Sequence, residues 1–118
     1  MTLISTARVG RTQLHVPILG LGAAPLCGAP FKPISDTEAV ETVRYALANG
    51  VTFFDTAPQY GAGLSERRLG MALAGVPRDS YVLATKVGRL VTPEGRVTVD
   101  FSRKGILRGV EASLERLQ

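Results

Sequence analysis

The stretch S-D-T-E-A-V-E-T-V-R-Y-A-L-A-N-G-V-T-F-F-D, residues 35–55, decides the architecture. Ser35 stands three residues before Glu38, the spacing at which each side chain answers the other's free backbone N–H at a helix start. Val40, Val43 and Leu47 then recur at helical intervals on one face, with Ala39 and Ala46 beside them. Gly50 supplies the left-handed residue on which helices commonly stop. Directly after it, Val51-Thr52-Phe53-Phe54 reads as a short buried strand that ends on a charge, Asp55. A helix running straight into a buried strand is half of a βαβ unit.

The same succession recurs on both sides of this stretch. Upstream, Ile18-Leu19-Gly20-Leu21-Gly22 is a short apolar run followed by a turn-rich segment. Downstream, Ser65 reads as the cap of a shorter helix through Leu69, Ala72 and Leu73 that stops at Gly75. Tyr81–Thr85 is the next strand, and a polar loop with Gly and Pro leads to a last helix carrying Leu107, Val110, Leu114 and Leu117 at helical spacing. Helices are expected near 36–49, 65–74 and 102–117. Strands starting near 18, 51 and 81 and alternating with helices predict right-handed parallel units, in order 1-2-3, with their helices on one side. Residues 6–16 are expected to form a hairpin around Gly10-Arg11-Thr12. A fourth strand falls due near 115–120. The chain therefore reads as the N-terminal portion of a larger domain, with open strand faces through which it is expected to self-associate.

Composition narrows the function classes. The chain has 14 basic and 10 acidic side chains, a net charge of +4. Residues 1–59 hold four of each sign and residues 60–118 hold ten basic and six acidic, so the excess lies in the second half. The bases are scattered and lack interleaved aromatic side chains for stacking, which argues against nucleic acid. One cysteine, Cys27, excludes an internal disulfide or a Cys-based zinc site, and no metal is expected. No run of 18 apolar residues suggests a membrane span, and the N-terminus lacks the apolar block of a signal peptide, so a cytoplasmic location is expected. Gly20-Leu21-Gly22 lacks the third glycine of a dinucleotide fingerprint, and Gly61-Ala62-Gly63 also fails it.

The chemistry concentrates in D-T-A-P-Q-Y-G-A-G-L-S-E, residues 55–66. Asp55 closes the second strand, Tyr60 lies in the loop beyond it, and Lys86 closes the third strand in the equivalent position. In a parallel barrel such positions point into the active-site mouth. Neighbouring strands run about 4.8 Å apart, so Asp55 and Lys86 can pair at one end of the sheet with Tyr60 over them. A free phenol titrates near ~10 and is a poor proton shuttle at neutral pH, whereas an adjacent ammonium favours the phenolate. The carboxylate would hold the lysine in place. Ser65, Cys27 and the Glu94–Arg96 loop carry no motif and read as turn, packing and surface residues.

These residues resemble the N-terminal part of an aldo-keto reductase. The likeness rests on the segment Asp55–Glu66, on Ala84-Thr85-Lys86 and on Leu19–Gly22, and its wording is similar to the sugar dehydrogenase branch. It implies a (β/α)8 TIM barrel, of which residues 1–118 would supply an N-terminal hairpin and the first three βα units. It also implies hydride transfer between NADP or NAD and a carbonyl or alcohol, with an aldose or small aldehyde as substrate. Carried over, Tyr60 is the general acid–base, Lys86 the cation that tunes it, and Asp55 the lysine's partner. Gly22, Ala23 and Asp55 match positions near the nicotinamide. The family's catalytic histidine has no counterpart, since His15, the one histidine, falls in the expected hairpin. The alternative is a truncated piece without turnover, serving as a structural or interaction module.

Overall fold

The computed structural model describes residues 4–118. Strands β1 (Thr6–Arg8) and β2 (His15–Pro17) pair antiparallel into the expected N-terminal hairpin. Strand β3 (Leu21–Gly22) leads through a turn of 3₁₀ helix to α1 (Asp36–Ala48), then β4 (Phe53–Asp55), α2 (Leu64–Leu73) and β5 (Val82–Ala84). A second hairpin, β6 (Arg89–Val91) and β7 (Val97–Val99), precedes α3 (Arg103–Leu117). The three central strands are parallel and lie in the order β3-β4-β5, as the alternation predicts. Among the described residues no helix is long and apolar enough to cross a membrane.

The register explains how the sheet divides its two faces. Leu21, Phe54 and Leu83 form one row across the strands, and Gly22, Asp55 and Ala84 form the next. Successive residues of a strand point to opposite faces. The first row turns to the helices, where Phe54 is fully buried with Ala39, Val43, Leu69, Ala72 and Leu73. The Phe54 and Tyr81 rings meet in a T-shaped pair at a centroid distance of 6.5 Å. The second row turns to the opposite face, which has no helix against it among the described residues. Gly20 is needed on that face because a Cβ there would stand 2.8 Å from the Phe53 ring.

Local signals account for the helix starts. At α1 both halves of the capping box are present, Ser35 N donating to Glu38 at 2.8 Å and Glu38 N to the Ser35 hydroxyl at 3.1 Å. The Ser35 backbone N–H, and after it the Ser35 hydroxyl, hold the Glu38 carboxyl below the usual carboxylate range. Gly50 follows the helix with φ of +85°, the expected left-handed stop. Ser102 caps α3 through Gly105 N at 3.0 Å.

Four expectations need correction. Ser65 does not cap α2: Gly63, in the left-handed region at φ +90°, precedes the helix, and Ser65 is buried within its first turn. The first apolar run yields a two-residue strand, because Ile18 and Leu19 lie before the parallel pairing begins and stay 71% and 57% exposed. The polar loop after Lys86 contains the β6–β7 hairpin, whose short alternating strands Arg89–Val91 and Val97–Val99 flank a turn at Gly95. In α3 the apolar face of Leu107, Val110 and Leu114 is exposed, and the buried stripe is Gly105, Gly109 and Ser113.

Candidate active site

Three strand ends build the site. Asp55 is the last residue of β4, directly beside Gly22 of β3 and Ala84 of β5. Lys86, two residues past Ala84, returns to the same face of the sheet. Its ammonium donates to Asp55 Oδ2 at 3.0 Å, to Asp55 Oδ1 at 3.2 Å and to the Thr56 carbonyl at 2.8 Å. Those contacts engage an ammonium that has three donors to give. Both side chains of the pair are nearly half exposed, 48% and 47%, where ion pairs contribute only about 0–1 kcal/mol to stability.

Tyr60 sits in the turn between Asp55 and α2, its carbonyl accepting from Ser65 N at 3.2 Å. Its ring lies 5.4 Å from Lys86 Nζ, centroid to nitrogen, so the ammonium stands against the aromatic ring. The sequence-predicted residues Asp55, Tyr60, Lys86 and Gly22 are thus brought together at one end of the sheet. Ala23 takes a different place: it is fully buried on the helix side, with its N–H donating to the Asp55 carbonyl at 2.8 Å. His15 lies in β2, exposed. Ile4, just before that hairpin, adjoins Gly50, at the end of the sheet opposite Asp55.

Beside Tyr60 a groove of about 490 Å³ opens between the β3–α1 loop and the β6–β7 hairpin. Phe31, Cys27 and Val97 give it an apolar wall, and Gln59 and Arg89 supply polar groups. The Cys27 thiol donates to the Ala29 carbonyl at 3.4 Å. Glu94 and Arg96 face each other at 3.9 Å, exposed in the hairpin turn.

The sequence reading missed three polar residues beneath the site. Ser65 and Glu66 are fully buried, and Arg68 is 7% exposed. Arg68 donates to Asp36 Oδ1 at 2.7 Å and to the carbonyls of Leu26 and Ile34 at 2.5 and 3.0 Å, fixing both ends of the loop that walls the groove. The available signal was the run Ser65-Glu66-Arg67-Arg68 at a helix start, which is equally the pattern of a solvated first turn.

The Aldo/keto reductase family model matches residues 18–118. The chain is similar to the L-galactose dehydrogenase of Arabidopsis thaliana, 46% identical over 120 residues that cover all of this chain and 36% of the relative. It is also similar to the D-threo-aldose 1-dehydrogenase of a Pseudomonas species, 39% identical over 88% of this chain and 37% of the relative. Among solved structures, the holo form of an aldo-keto reductase from Bacillus halodurans superposes with a TM-score of 0.84 at 34% identity, over 98% of this chain and 37% of that one. An aldo/keto reductase from Klebsiella pneumoniae in complex with NADP and acetate superposes with a TM-score of 0.73 at 30% identity, over 98% of this chain and 36% of that one. The chain spans little more than a third of the length of these relatives. Its architecture is that of the first three βα units of a (β/α)8 barrel with an N-terminal hairpin, and the chain belongs to the aldo/keto reductase family.

Proposed function

We propose that residues 1–118 carry the acid–base centre of an NAD(P)-dependent oxidoreductase that interconverts a carbonyl and an alcohol. The observation that carries this reading is the Lys86 ammonium, held by both oxygens of Asp55 and 5.4 Å from the Tyr60 ring. Tyr60 Oη gives a proton to the carbonyl oxygen in reduction and takes one from the hydroxyl in oxidation. Lys86 lowers the cost of the phenolate left behind, and Asp55 keeps the lysine charged and aimed.

Gly22 fits a nicotinamide neighbour. A Cβ at Gly22 would meet nothing within 4 Å, so the end of β3 is bare backbone on the face that carries Asp55. A planar ring can lie against such a shelf with the Asp55 carboxylate at its flank, while Ala23 is buried behind it on the helix side. NAD(P) would supply or accept the hydride. The groove beside Tyr60 has the volume of an ordinary small-molecule site. An aldose or small aldehyde as substrate is supported by the two sugar dehydrogenases among the relatives, and NADP by its presence in the Klebsiella complex.

The test joins residues 1–118 to the remaining barrel of the Pseudomonas aldose dehydrogenase and follows NAD(P)-dependent oxidation of aldoses. The chimera turns over, and Tyr60→Phe lowers kcat by at least ~100-fold while cofactor affinity changes little, as expected for loss of a general acid–base. A Phe variant with near-normal kcat would overturn the assignment. A second reading, a structural module without turnover, is favoured by the uncovered sheet face; it predicts that the 118-residue chain alone neither binds NADPH nor reduces an aldehyde.

A further inference from the structure

The row of residues after Gly22, Asp55 and Ala84 is Ala23, Thr56 and Thr85. It continues the parallel pairing, since Ala23 N donates to the Asp55 carbonyl at 2.8 Å and Thr56 N to the Ala84 carbonyl at 2.9 Å. By the alternation of the strands this row faces the helices, behind the site. The first turn of α2 touches every member of it. The Ser65 hydroxyl donates to the Ala23 carbonyl at 2.7 Å and lies 2.9 Å from Thr56 Oγ1. Because the Ser65 proton is engaged by Ala23, the Thr56 hydroxyl is the donor between the two. The Thr85 hydroxyl donates to Glu66 Oε1 at 2.6 Å. The other Glu66 oxygen accepts from Arg116 Nε, in the last turn of α3, at 2.5 Å.

Both acceptors are fully buried. A buried carboxylate is tolerated only with its oxygens bonded, and it holds those partners tightly because losing one leaves an unsatisfied group. We propose that Ser65 and Glu66 are positioning residues that fix the three strand ends at one height, so that Lys86, which follows Thr85, reaches Asp55 and the Thr56 carbonyl. This rests on the reading of Asp55 and Lys86 as parts of the acid–base centre. Ser65 sets Thr56, whose carbonyl is one of the lysine's three acceptors, and Glu66 sets Thr85, the residue that carries the lysine forward. Arg116 extends the arrangement to α3, so that docking of the third helix is transmitted to the lysine through one carboxylate.

The chain has three lysines, Lys32, Lys86 and Lys104, which allows a test that does not depend on turnover. Acetylation by N-hydroxysuccinimidyl acetate, read by mass spectrometry, gives the rate at Lys86 relative to Lys32 and Lys104. Asp55→Asn releases the ammonium and sets the upper limit. Thr85→Val, which keeps the shape and removes the hydroxyl, raises the relative rate at Lys86 roughly threefold or more, the population shift of one lost hydrogen bond. Thr85→Ser restores the wild-type ratio. An unchanged ratio in Thr85→Val beside a raised one in Asp55→Asn overturns the proposal. If Thr85→Val unfolds and all three lysines react faster, Ser65→Ala takes its place: a raised relative rate at Lys86 supports the proposal, and an unchanged one overturns it. If Asp55→Asn itself leaves Lys86 unchanged, the ion pair falls, and the reading of the site falls with it.

Discussion

Arg68 holds a loop whose regular structure is a single turn of 3₁₀ helix, Ala24–Cys27. Its three nitrogens point to three places, the Asp36 carboxylate and two backbone carbonyls eight residues apart, Leu26 and Ile34. The three nitrogens of a planar guanidinium span these separated acceptors at once; an ammonium gives its three bonds from a single nitrogen and lacks that span. Arg68→Lys therefore keeps the charge and strands at least one carbonyl. The expected loss is about 1–3 kcal/mol in urea unfolding, the cost of a buried unsatisfied acceptor. An unchanged midpoint would mean that the loop is held by its own turns. At this scale the sequence was legible where a polar residue closes an apolar run. Asp55 and Lys86 stood out because a charge at the end of a buried strand has few reasons to be there. Ser65, Glu66 and Arg68 did not stand out, because the same residue types also suit the wet first turn of a helix. What distinguishes them is the depth at which α2 sits on the sheet.

Helix α3 shows why periodicity locates an element better than it orients one. Leu107, Val110 and Leu114 repeat at helical spacing and announce the helix, yet they are 47%, 42% and 64% exposed. The buried side is Gly105, Gly109 and Ser113, small residues that let the helix approach its neighbours closely and that no hydrophobicity pattern can reveal. The two glycines differ in what they face. A Cβ on Gly105 would stand 2.6 Å from the Asp100 carbonyl oxygen, which is backbone and cannot swing aside. A Cβ on Gly109 would stand 3.4 Å from Leu90 Cδ2, an ordinary contact with a mobile methyl. Alanine in place of glycine within a helix gains about 0.8–1 kcal/mol from propensity, and a forced overlap costs about 1–3 kcal/mol. Gly105→Ala is thus expected to destabilise and Gly109→Ala to stabilise, with opposite shifts of the urea midpoint. Shifts of the same sign would show that α3 does not sit on Asp100 and Leu90. The β6–β7 hairpin escaped the sequence reading for a related reason. Its strands have three residues each and mix Arg, Thr and Val, too short a run for alternation to separate from a loop.

The whole molecule keeps more surface than its mass requires. A compact monomer of 12.5 kDa exposes about 6,200 Å² by the usual scaling, whereas this chain exposes 7511 Å². Its radius of gyration is 14.7 Å, against about 13.5 Å for a compact domain of this length. The excess of roughly 1,300 Å² falls within the ~1,200–2,000 Å² that a standard protein interface removes from water in total. Its location follows from the topology. Among the described residues β3 and β5 are unpaired edges of a three-stranded sheet and the row of Gly22, Asp55 and Ala84 has no helix against it, and Leu107, Val110, Leu114 and Phe101 lie exposed. In a closed barrel the inward face of each strand packs against side chains from the other strands, and closure removes the sheet edges. The 118-residue chain is therefore expected to self-associate. Sedimentation velocity at low micromolar concentration should show a concentration-dependent mass above the monomer, with an apolar dye bound to the fraction that remains monomeric. Joining the chain to the remaining barrel of the Pseudomonas relative should give one sharp boundary and remove the dye signal, because the same faces are then covered within one molecule. A compact, dye-silent monomer of the 118-residue chain would mean that α3 and the two hairpins close over the sheet in solution, and that the open face is not the state the chain adopts.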